Sequence, residues 1–183
     1  MKTRKRPLWQ RIVFWCGGIL LSWYPLSLIH ESGHLLSAWF GGAQEISLVW
    51  HYGVISETLR EQSRWPIIDV WAGPVFGVLI PLFVVWGNPY HKIRPILLRF
   101  SALCALGNGL YLGLGWLEPG GDAWTLLGLG CPLWALTSFG FLALTLGIWL
   151  LVCSENMNIQ APGSPNEWQG LTRKARIGSE MKS

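Results

Sequence analysis

An otherwise apolar stretch of the chain carries His30-Glu31-Ser32-Gly33-His34, an H-E-x-x-H pattern. A helix turns by about 100° per residue, so histidines four positions apart project from one face, about 40° from each other, with the glutamate beside them. Two imidazoles placed this way can grip one divalent ion such as Zn²⁺. The carboxylate between them can take a proton from water that the ion activates. With four His and eight Glu among 183 residues, about 0.004 such patterns are expected by chance, so coincidence is a weak explanation. The competing use is a histidine pair hydrogen-bonded inside a helix bundle, with Glu31 neutralised by a neighbour. Ionisable groups are costly inside a membrane-spanning segment and usually functional there, which favours the metal site.

The elements that must position these residues are apolar and long. Only 13 % of the residues are charged and the mean hydropathy is +0.34, against about 25 % charged in soluble proteins, so the chain reads as a small polytopic membrane protein. The expected fold is all-α with about four transmembrane helices, over residues 12–40, 67–86, 96–116 and 132–153, each at or above the roughly 20 residues that cross a bilayer. Pro25 is expected to kink or divide the first, and Gly41-Gly42 to end it. Between the first two spans, Ile46, Leu48 and Trp50 alternate, Tyr52-Gly53 can turn and Val54-Ile55 resumes an apolar pattern. This reads as a short β-hairpin or edge strand at the membrane surface. It is either a plain connection or a template on which an extended peptide adds as a strand. Residues 1–153 form the membrane domain; residues 154–183 read as a flexible, polar, cytoplasmic tail.

Charge sets the orientation. Five basic residues precede the first span, three surround the second loop and four lie in the tail, against two in the first loop and none in the third. Both termini are therefore expected on the cytoplasmic side. That orientation puts the histidine pair in the half of the first span nearer the non-cytoplasmic face. The net charge of +4 comes from residues flanking apolar segments, which argues against nucleic-acid binding and for contact with the bilayer. The N-terminal basic and apolar residues could also be a signal peptide, but no small-residue cleavage pattern follows and the run continues into His30, so an uncleaved span fits better. Cys16, Cys104, Cys131 and Cys153 form no C-x-x-C pair and read as small membrane-helix residues.

Three other polar groups bear on the site. Asp122, after Gly120-Gly121, is either the N-cap of a new helix or a third metal ligand, and one does not exclude the other. Asn108, a lone amide in the third span, either orients a ligand or substrate carbonyl or makes an interhelical hydrogen bond. Asp69, near the start of the second span, is either a boundary carboxylate that reaches water or a catalytic one, and its place at the segment's start favours the first. Gly73 and Gly77 form a G-x-x-x-G face suited to close approach of another helix.

Taken together, these residues resemble the site-2 protease family of intramembrane zinc metallopeptidases, as a compact, divergent member. The likeness rests on His30-Glu31-Ser32-Gly33-His34, the Gly41-Gly42 and strand-like segment after it, Ala72-Gly73-Pro74 in the second helix, and Asp122 after the third. Many members have Asn after the Ala-Gly-Pro turn where this chain has Gly77, and Gly after the aspartate where it has Ala123. The resemblance implies zinc held by His30, His34 and Asp122, with Glu31 as general base. It also implies membrane-embedded or membrane-adjacent protein segments as substrates. The alternative is a non-catalytic zinc-holding membrane protein of the same fold that binds a partner.

Overall fold

A computed structural model of the chain describes residues 7–43, 46–49, 57–60 and 63–159. The order is α1 (Leu8–Phe40), β1 (Ile46–Val49), β2 (Glu57–Arg60), α2 (Pro66–Gly87), α3 (Arg94–Leu114), a 3₁₀ turn (Gly115–Leu117), α4 (Gly121–Gly128) and α5 (Leu133–Ile159). The protein is mostly helical. Among the described residues, three helices are long and apolar enough to cross a membrane: Pro66–Gly87, Arg94–Leu117 and Leu133–Met157. Large apolar side chains such as Phe83, Val84, Phe141, Leu142 and Trp149 face outward from them, compatible with lipid surroundings.

Two expectations about helix ends change. The 33 residues of α1 run unbroken through Pro25; at 1.5 Å per residue that is about 50 Å of helix, so Pro25 does not divide it. At the other end, α5 continues to Ile159, taking in the first six residues of the expected tail. There Ser154 donates its hydroxyl hydrogen to the Leu151 carbonyl and Glu155 pairs with Arg99 of α3 at 2.8 Å. The remainder of the expected tail lies outside the described residues. So does the expected turn at Tyr52-Gly53 with Val54-Ile55; the strands flanking it pair antiparallel, Ile46 opposite Arg60 and Val49 opposite Glu57.

α2 lies between α1 and α3, and α3 packs along α5. The α3–α5 seam is made of small residues. A Cβ on Gly113 would stand 2.9 Å from the Gly140 Cα, and one on Gly109 3.1 Å from the Ala143 Cβ. In lipid no apolar transfer energy separates packed from unpacked helices, so such close backbone approach, with its dense dispersion contacts, holds the pair. A second packed group joins four elements: Val70 of α2, Leu112 of α3, Ala123 and Leu126 of α4, and Leu136 of α5. It pins the short α4 against the bundle. The methyl of Ala123, buried there, directly follows Asp122.

Candidate metal centre

His30 and His34 lie one turn apart on α1, as their spacing requires, and both are about 95 % buried. Their Nε2 atoms stand 3.1 Å apart. Asp122 reaches both: its Oδ2 is 3.0 Å from His30 Nε2 and 3.3 Å from His34 Nε2. α4 starts at Gly121, with Gly120 at the N-cap and no side-chain cap. Asp122 therefore sits in the first turn of α4 and is not the cap; its carboxylate turns to the histidines instead. Positive φ values of 110° at Gly120 and 68° at Gly121 make this entry possible, since side chains with a Cβ are strained there.

The partners of the outer nitrogens require a hydrogen on Nδ1 of each ring. Asn108 donates through Nδ2 to the Cys104 carbonyl at 2.9 Å, so its Oδ1 faces His30 Nδ1 at 2.7 Å. An amide oxygen can only accept, so Nδ1 of His30 carries the hydrogen. The backbone carbonyl of Asp69 faces His34 Nδ1 at 2.6 Å and fixes that ring the same way. In their neutral forms both imidazoles then aim bare Nε2 lone pairs at a carboxylate oxygen. Three acceptors so close repel one another unless a cation or protons lie between them, and an imidazole whose far N–H is held by a carbonyl is the usual arrangement of a metal-ligating histidine. The spacing fits as well. A tetrahedral ion with bonds of about 2.0–2.1 Å needs ligand atoms about 3.3 Å apart, close to the 3.0–3.3 Å edges here. His30, His34 and Asp122 thus form a group able to hold a metal ion.

Glycines admit the rings. A Cβ on Gly33 would strike the Ala72 carbonyl, and one on Gly73 would strike Nε2 of both His34 and His30. The G-x-x-x-G face of α2 therefore serves mainly to clear the site: Gly73 makes room for the imidazoles, and Gly77 for the Asn108 amide. Glu31 is 3 % exposed and shares a cavity of about 40 Å³ with Trp23, Leu26, Ser27, His30, Gly107, Asn108 and Tyr111, room for a water or two.

Asp69 is not a boundary carboxylate reaching water. It is fully buried, because the first turn of α2 lies against α1, where Ser37 donates to its Oδ1 at 2.6 Å. Two participants escaped sequence reasoning. The Asp69 carbonyl is backbone and leaves no trace in residue type. Tyr111, whose ring meets His30 edge-on at a centroid distance of 5.5 Å, did leave one: it follows Asn108 by three residues, on the same helix face.

Compared with known protein families, with curated proteins and with solved structures, the chain has no match.

Proposed function

We propose that the protein is an intramembrane zinc metalloprotease of the site-2 type that hydrolyses peptide bonds in membrane-embedded or membrane-adjacent protein segments. The observation that carries this reading is the convergence of a carboxylate and two imidazoles whose Nδ1 atoms each face a carbonyl oxygen, with a buried glutamate on the adjoining cavity. α1 is taken as the first of four spans, with both termini on the cytoplasmic side.

His30, His34 and Asp122 would hold the zinc, which supplies polarisation of the scissile carbonyl and a lowered water pKa. Glu31 takes the proton of the attacking water from its place on the cavity and passes it to the departing amine. Asn108 and the Asp69 carbonyl keep the Nδ1 hydrogens in place throughout, so the imidazoles cannot turn away. The apolar helices around them exclude bulk water and strengthen each of these interactions.

A second reading, a zinc-holding protein of the same fold that binds a partner without catalysis, is favoured by the size of the cavity. About 40 Å³ admits water and no peptide segment, so proteolysis requires the α1–α3 side to open. The test is metal content and cleavage of a membrane-anchored substrate by the purified protein, alongside Glu31→Gln, His30→Ala and Asp122→Ala. Proteolysis predicts that Glu31→Gln keeps zinc and loses cleavage, while the ligand variants lose both. Undiminished cleavage by Glu31→Gln refutes the mechanism; zinc without cleavage in the parent selects the second reading.

A further inference from the structure

The first turn of α4 lacks the side-chain cap that usually satisfies the free N–H groups at a helix start. A residue from another helix fills this role. The Asp122 N–H donates to the Tyr111 hydroxyl at 3.3 Å, and Gly121, at φ 68°, approaches so closely that a Cβ there would stand 2.7 Å from that oxygen. The same tyrosine lays its ring edge-on against His30 and lines the cavity with Glu31 and Asn108. One side chain of α3 therefore touches the backbone of one metal-ligand candidate and the ring of another.

We propose that Tyr111 is a positioning residue that couples the entry of α4 to α1, holding the Asp122 carboxylate in register with the two imidazoles. The inference rests on the metal-site reading above. Without the hydroxyl, the Asp122 amide loses its acceptor and the Gly120-Gly121 turn loses its stop. The carboxylate can then swing on a two-glycine hinge. The ring acts separately, by limiting rotation of His30.

The test uses the full chain, purified in detergent, with Tyr111→Phe, Gly121→Ala and the two combined. Zn²⁺ and Co²⁺ titrations read affinity, the Co²⁺ visible bands read ligand geometry, and amide hydrogen exchange of the metal-free protein reads the α4 turn. Tyr111→Phe keeps the ring and is expected to bind both ions about 10-fold more weakly, with altered Co²⁺ bands, faster exchange at residues 121–123 and an unchanged unfolding temperature. Gly121→Ala places its methyl against the hydroxyl. Removing the hydroxyl relieves that collision, so the double variant should bind no more weakly than Gly121→Ala alone. Parent-like binding and exchange in Tyr111→Phe, or additive losses in the double variant, overturn the proposal. A parent that takes up neither ion refutes the metal reading; exchange at the α4 turn then decides the positioning role, unchanged rates overturning it and faster rates in Tyr111→Phe supporting it.

Discussion

Substituting Gly73 by Ala tests how closely α2 approaches the imidazoles. The added Cβ would lie 2.8 Å from His30 Nε2 and closer still to His34 Nε2, whereas carbon and nitrogen in contact keep about 3.4 Å or more. The His30 ring must therefore yield by about 0.6 Å, and the His34 ring by more. Metal sites tolerate about 0.2 Å in ligand distance, so this displacement should weaken Zn²⁺ binding by about 100-fold or more, or about 2.7 kcal/mol. The helix itself gains, because Ala is favoured over Gly in a helix interior by about 1 kcal/mol. The expected outcome is thus selective: helical content and thermal unfolding of the metal-free protein stay near those of the parent, while zinc affinity collapses. Competition against a chromophoric chelator measures the affinity and circular dichroism the helix. Gly18→Ala in α1, where a Cβ meets nothing within 4 Å, is the control and should leave zinc binding unchanged. Parent-like zinc affinity in Gly73→Ala would refute the described crossing of α1 and α2.

Asn108→Leu removes the acceptor that holds the His30 tautomer and should lower zinc affinity about 10- to 100-fold, read by the same competition assay. Gly140→Val drives a side chain into Gly113 and the Gly109 carbonyl and should destabilise the α3–α5 pair by about 1–3 kcal/mol, measured by denaturant unfolding in mixed micelles. Leu126→Ala opens a hole in the group that pins α4; it should cost about 2–5 kcal/mol and weaken zinc binding through Asp122, seen as a parallel fall in unfolding temperature and affinity. Arg99→Ala, by contrast, breaks an ion pair whose Glu155 partner is 58 % exposed, and should change stability by less than about 1 kcal/mol in the same denaturant titration.

The chemistry was the more legible part of the site. His30, Glu31 and His34 stand four residues apart or less on one helix, so local geometry alone puts them together. Asp122 was legible as a candidate through its type and its preceding glycines, yet sequence equally allowed it to cap α4. The packing of Ala123 and Leu126 against three other helices decides that its carboxylate faces the imidazoles. Asn108 was visible as a lone amide, and the interhelical hydrogen bond expected of it is the one it makes to His30. Asp69 was misread because its position near a segment end suggested water. The crossing of α1 over α2 buries it instead.

By itself the sequence determined an apolar helical chain and a glutamate flanked by two histidines on one face, since helical periodicity and hydropathy act over a few residues. It also supplied small residues wherever helices must touch. Which of them meet was decided only by tertiary structure. Gly73 against the imidazoles, Gly77 against Asn108, the Asp69 carbonyl on His34 and Tyr111 beneath Asp122 all depend on the relative rotation and depth of separate helices. Those variables are set by the sum of many weak packing contacts, and no single residue or short spacing encodes that sum.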